Sequence, residues 1–126
     1  MIGGIVVTHG PIASAAIEAA ETILGETKNI HPVTTTNSSL KSVIQELEDI
    51  ISRNNRDQGL IIMVSLKGGT CWNSAVSVAR QHKNVEVVSG VNLPMIISFL
   101  TKRDVLPLGE LAETIRNNGI RGIDRA

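Results

Sequence analysis

Along the chain, short uninterrupted apolar runs alternate with longer stretches in which apolar residues return every three or four positions. Ile2 to Val7 is a short apolar run with β-branched residues, ended by Gly10-Pro11, and predicts a buried strand. From Pro11, a favoured first helical position, Ile12, Ala16, Ala19, Ala20 and Ile23 recur at helical spacing. Ser14, Glu18, Glu21 and Thr22 make the opposite stripe, and Gly25 stops the helix as a glycine C-cap does. Asn29 to Val33 reads as a second strand; its Pro32 cannot donate to a ladder, which places it near a sheet edge or a strand end. The polar run Thr34 to Ser39 leads into Leu40, Val43, Ile44, Leu47, Ile50 and Ile51, the cleanest amphipathic helix in the chain.

The second half repeats the scheme. Asn54 to Gly59 reads as a solvated turn, and Leu60 to Val64 is apolar without alternation, as expected of a strand covered on both faces. Cys71 to His82 carries Ala75, Val76, Val78 and Ala79 as a third helix, and Val85 to Ser89 is a fourth strand. Gly90 to Pro94 turns the chain into an apolar helix ending near Lys102. Pro107 and Leu108 open a last helix through Leu111, Ala112 and Ile115, closed by Asn118-Gly119. Repeated strand-then-helix units predict an α/β fold, a three-layer sandwich with a central, mainly parallel sheet and helices on both faces. No internal repeat and no linker divides it, so residues 1–126 read as a single domain.

Composition narrows the function classes. Charge balances at 12 basic against 12 acidic residues, so no basic field speaks for a nucleic-acid partner. No apolar run approaches the roughly 20 residues needed to cross a bilayer, and the N-terminus lacks the basic region of an export signal. The one cysteine, Cys71, excludes an intrachain disulfide and fits a reducing compartment. A cytoplasmic domain is expected.

In an open α/β sheet, ligands bind beyond the carboxyl ends of the strands, and His9 lies just past the first strand. An imidazole there can act as base, metal ligand or nucleophile, or only cap and pack. No metal-ligand spacing supports it, since Cys71, His31 and His82 belong to other elements. The second strand-to-helix turn, Ser65-Leu66-Lys67-Gly68-Gly69-Thr70, offers backbone amides and the positive end of a helix dipole, which suit an anion; alternatively Gly-Gly only makes a tight turn. It is neither a P-loop nor a dinucleotide fingerprint. If both strands are central, the two loops face each other across one crevice, and a histidine beside an anion cradle suggests a phosphoryl group carried on the histidine. Cys71, near a helix N-terminus, is a candidate reactive thiol or an inert one. Trp72 is read as a partner contact or a cap on the core. His31 is read as a strand-end residue and His82 as a helix C-terminal one.

Three motifs, Val6-Val7-Thr8-His9-Gly10, Gly68-Gly69-Thr70 followed by Asn73, and Gly90-Val91-Asn92-Leu93-Pro94-Met95, resemble in order the IIA component of the mannose-family sugar phosphotransferase system. The resemblance runs from residue 1 to about 117 and is similar to one whole IIA domain. It implies a phosphotransferase with a phosphohistidine intermediate and no cofactor. The phosphoryl group comes from the phosphocarrier HPr and goes to a IIB domain for sugar uptake, with the membrane met only through the IIC/IID permease. His9 would be phosphorylated, and Gly68, Gly69 and Thr70 would bind the phosphate. The resemblance also implies a homodimer, for which the apolar segment Val91 to Leu100 gives a second reason.

The chain departs from the family pattern at the position of Ser65, where most members have an aspartate that accepts a hydrogen bond from the ring nitrogen not carrying phosphate. Ser65 would orient His9 through its hydroxyl, without charge. Lys67, a candidate partner contact with Trp72, stands where the family usually has an uncharged residue and is read as offsetting the phosphate charge or as a solvated loop lysine, and Cys71 replaces a frequent proline. The alternative reading is a regulatory or binding module on the IIA scaffold, with transfer impaired by Ser65; a IIA-like subunit of a dihydroxyacetone kinase system is a third.

Overall fold

The structure, a computed structural model, describes residues 1–54 and 57–126. Part of the turn expected at Asn54 to Gly59 therefore lies outside the described residues. The elements run β1 (Gly3–Thr8), α1 (Ile12–Leu24), β2 (Ile30–Thr34), α2 (Leu40–Arg53), β3 (Leu60–Val64), α3 (Gly69–Ala79), β4 (Val85–Ser89), α4 (Leu93–Lys102) and α5 (Leu108–Arg121). The four strands form one parallel sheet in the order β2-β1-β3-β4. As the apolar pattern predicts, β1 and β3 are central and buried on both faces. Proline-bearing β2 is an outer strand.

Alternation along the strands divides the core in two. Ile5, Val7, Ile62 and Val64 pack with Val43, Leu47 and Ile51 of α2 and with Ala75 and Val78 of α3. Val6, Ile61 and Met63 pack on the other face with Ala13, Ile17 and Ala20 of α1, Ile96 and Phe99 of α4, and Leu111 and Ile115 of α5. The three layers expected from the sequence are thus present. Most of the segment Val91 to Leu100 is covered within the chain, because α4 shares one face of the sheet with α1 and α5 and buries Met95, Ile96 and Phe99 there. It no longer argues for a dimer. No helix among the described residues is long and apolar enough to cross a membrane.

Two expectations about helices are corrected. The buried stripe of α1 is Ala13, Ile17 and Ala20, whereas Ile12 and Ile23 are 55% and 62% exposed. In an alanine-rich helix almost every face is apolar, and the small alanines are what let the helix settle close on the sheet. Helix α5 does not close at Asn118-Gly119 but runs to Arg121. Gly119 lies inside it, at a point where a Cβ would stand 3.1 Å from Met95 Cε of α4. The Gly90-to-Met95 motif serves the same junction: Asn92 Oδ1 accepts from Met95 N at 2.9 Å, capping α4, while its Nδ2 donates to Gly119 O at 2.9 Å.

Connectivity places the site. From β1 the chain returns through α1 to β2 on one side, while β3, on the other side of β1, is followed by α3 on the opposite face. The connections after β1 and β3 therefore diverge to opposite faces at the carboxyl ends of the two central strands, the position at which open α/β sheets bind ligands.

Candidate functional site

His9 is the first residue beyond β1 and is exposed. The turn that carries it is anchored by threonines. Thr8 is fully buried, and its Oγ1 accepts from Ala13 N at 2.9 Å, supplying the acceptor that Pro11, at the helix N-cap, lacks. Thr8 O accepts from Thr35 N at 3.0 Å. Gly10, at φ +58°, donates its N–H to Thr36 Oγ1 at 2.7 Å. The loop after β2 thus holds the histidine turn from the side, a role the sequence reading missed for Thr8, Thr35 and Thr36. The available signal was position: in a parallel sheet, residues following β2 emerge at the same edge as those following β1.

The loop after β3 arrives from the other side. Val7 pairs with Val64, and Ser65 N donates to Val7 O at 3.1 Å, which continues the sheet one residue further. Beyond it, Gly68 and Gly69 stand at φ +82° and +79°, the left-handed region that favours glycine. Helix α3 begins at Gly69, with no side chain capping its first amides and no acidic residue in its first turn. Uncapped amides at the positive end of a helix dipole suit an anion. Thr70 is in that first turn, and its carbonyl accepts from Ser74 Oγ at 2.6 Å.

The two loops meet at a sulfur. Cys71 Sγ, only 1% exposed, lies 3.8 Å from His9 Nδ1 and 3.6 Å from Thr35 Oγ1, and it accepts from Ser65 Oγ at 3.8 Å. The structure therefore brings His9, Ser65 and the start of α3 together, but the Ser65 hydroxyl is directed to the thiol and not to the ring. Nδ1 faces the thiol, and Nε2 has no hydrogen-bond partner among the described residues.

Lys67 stands over the Trp72 ring, its Nζ 5.9 Å from the centroid, and half-buried Trp72 packs against the core of that face. Trp72 thus caps the core, as one of its two readings had it. Both residues line a cavity of about 320 Å³ with Glu86, Ser89 and Arg116, beside β4 and not over His9. His31 is the second residue of β2 and not at a strand end; its Nε2 lies 3.3 Å from Asn29 Oδ1. His82 follows α3 and pairs with Glu48 of α2 at 2.9 Å. Among the described residues no three His, Cys, Asp or Glu side chains gather as a metal site would need.

Residues 3–116 match the family model EIIA-man, described as the PTS system fructose IIA component. The sorbose-specific EIIA component of Lacticaseibacillus casei is 31% identical over 108 residues, 85% of this chain and 78% of that protein. The mannose-specific EIIAB component of Escherichia coli K12 is 27% identical over 118 residues, 92% of this chain, which spans only 36% of that protein's length. Among solved structures, the mannose/sorbose-specific IIA subunit from Enterococcus faecalis superposes with a TM-score of 0.91 at 25% identity, covering 99% of this chain and 94% of that one.

Proposed function

The chain belongs to the EIIA-man family of phosphotransferase-system IIA components, and on that premise we propose that it is a cytoplasmic phosphocarrier whose His9 takes a phosphoryl group from HPr and passes it to a IIB domain for sugar uptake. One observation carries the assignment to His9: an exposed imidazole stands at the switch point with Nδ1 at the Cys71 thiol and Nε2 without a hydrogen-bond partner among the described residues. In the reaction, Nε2 attacks the phosphorus of a phosphohistidine on HPr. The Nε2–P bond forms as the donor's P–N bond breaks, and the electron pair of that bond returns to the donor ring. One positive charge passes to the His9 ring, which keeps its proton on Nδ1. Gly68, Gly69 and Thr70 offer amides to the transferring oxygens, so positioning and electrostatics supply the catalysis.

A protein partner, in place of a small molecule in a closed pocket, is supported by the rim of the site. Ile12, the first residue of α1, and Leu66, on the loop after β3, flank His9 and are 55% and 63% exposed. A homodimer belongs to the same proposal and rests on the family and on exposed Ile120 and Ile123. The regulatory reading is favoured by a single observation, that no carboxylate bonds to His9 among the described residues.

Incubation with phosphoenolpyruvate, enzyme I and HPr is expected to label the protein with an acid-labile, base-stable phosphate that His9→Ala abolishes. A wild-type protein that stays unlabelled over hours, while another IIA protein in the same assay is labelled, sinks the carrier reading and leaves the regulatory one.

A further inference from the structure

We infer that Cys71 is the positioning residue that holds the His9 ring for reaction, in the place a carboxylate would otherwise take; the inference rests on the phosphocarrier reading. Attack through Nε2 requires the ring proton on Nδ1, and that N–H needs an acceptor as the ring becomes cationic. Cys71 Sγ is the atom at Nδ1, at 3.8 Å, within reach of a hydrogen bond to sulfur. The thiol is itself fixed: it is buried, it belongs to the first turn of α3, and two hydroxyls address it, Ser65 Oγ at 3.8 Å and Thr35 Oγ1 at 3.6 Å.

The donor and acceptor inventory shows what this cluster can do. A thiol has one weak donor and a sulfur that accepts. In the reacting tautomer the sulfur accepts from Nδ1–H and from the Ser65 hydroxyl, and the S–H turns to Thr35 Oγ1. In the opposite tautomer the S–H turns to Nδ1, and the Thr35 hydroxyl donates to the sulfur. Rotation of the S–H thus accommodates either state of the ring without moving a heavy atom, while the ring stays oriented with Nε2 outward. Ser65 and Thr35 act through the sulfur, which explains why the Ser65 hydroxyl is turned from the imidazole. A neutral sulfur holds the developing imidazolium less strongly than a carboxylate does, but a part-buried hydrogen bond to it still fixes the ring.

The experiment follows the ring, the thiol and the rate together. Cys71→Ala is expected to slow transfer from phosphorylated HPr to His9 about tenfold, the scale of one lost hydrogen bond to a charged group, and Cys71→Ser to recover part of that loss. In ¹⁵N spectra of the unphosphorylated protein, the His9 Nδ1 resonance should move in Cys71→Ala and return toward its original position in Cys71→Ser, which a merely structural thiol would not cause. As Cys71 is the one cysteine, its S–H infrared band is unobscured and should shift in His9→Ala, a change at an exposed position. A folded Cys71→Ala protein with an unmoved Nδ1 resonance and an unchanged rate overturns the inference. Should that variant not fold, an S–H band identical in wild type and His9→Ala does so instead. A wild type that takes no phosphate refutes the carrier reading alone, because the ¹⁵N and infrared measurements still report whether Cys71 holds Nδ1.

Discussion

Replacing Thr8 with valine should loosen the start of α1 and, with it, the histidine turn. The substitution keeps the β-branched shape at a fully buried position and leaves Thr8 O free to accept from Thr35 N. What disappears is the acceptor for Ala13 N, 2.9 Å from Thr8 Oγ1. That amide belongs to the first turn of α1, and Pro11 at the N-cap has no side chain able to replace the lost oxygen. Losing a helix cap costs about 0.5–2 kcal/mol and orphaning a buried donor about 1–3 kcal/mol. These describe the same bond and do not add, so the expected loss is about 1.5 kcal/mol. With a urea m-value of about 2 kcal/mol/M, the unfolding midpoint should drop by roughly 0.7 M. Amide exchange supplies the decisive reading: Ala13 N–H should lose protection in Thr8→Val and keep it in Thr8→Ser, which retains the acceptor. Because His9 hangs between Thr8 and α1, transfer to His9 should slow severalfold in the valine variant. An Ala13 amide that stays equally protected in Thr8→Val would refute the reasoning, since the helix start would then be capped by something other than Thr8.

Arg103 is buried at the amino-terminal end of the sheet and donates to Lys28 O at 2.7 Å, Asn29 O at 3.3 Å and Ile2 O at 3.4 Å; burial pushes its pKa down, with Asp104 opposing. Arg103→Met should remove the donor from Lys28 O and Ile2 O, while Asn29 O keeps its bond from Gly4 N, at a cost of about 2–3 kcal/mol in urea unfolding, and leave the transfer rate of the remaining folded protein unchanged; a loss below about 0.5 kcal/mol would mean that water replaces the guanidinium. For assembly, light scattering at tens of micromolar should give twice the chain mass of 13.5 kDa, and a result of 13.5 kDa would remove the homodimer from the proposal.

How far the sequence reached depended on which interactions were local. The strand Leu60–Val64 and the helix Leu40–Arg53 were legible because an uninterrupted apolar run and a well-separated stripe each admit one placement in a layered fold. The face of α1 was not, because Ala13, Ala16, Ala19 and Ala20 leave the pattern apolar all round and only packing selects among them. The end of α5 was misread because Asn-Gly is a stop signal in isolation, while here the helix runs on through Gly119, where a Cβ would crowd Met95 Cε at 3.1 Å. At the site, His9 and Gly68-Gly69 stood out by residue type and by position at strand ends. Thr35 did not, since its role depends on β2 lying beside β1. Nor did the contact between Cys71 and His9, which are 62 residues apart. It follows from the register that pairs Val7 with Val64 and from α3 starting at Gly69.

That contact also changes how the departures from the family pattern relate to each other. As sequence, the two departures that the resemblance implies, Ser65 for aspartate and Cys71 for proline, are unconnected, one removing a charge and the other adding a thiol. In the fold they converge on a single point, because position 65 is the first residue past β3, position 71 lies in the first turn of α3, and their side chains are bonded to each other at 3.8 Å. Serine at 65 carries a short neutral side chain and directs it to the sulfur, so it needs an intermediary to influence the ring. Cysteine at 71 supplies one, where a proline would have offered neither a polar side chain nor a backbone N–H. The two changes are physically coupled: undoing the second leaves Ser65 with nothing to act through, and undoing the first puts a carboxylate against a thiol that already occupies the place beside Nδ1. On the phosphocarrier reading, the missing acid does not leave Nδ1 unheld, because the buried Cys71 Sγ lies 3.8 Å from it.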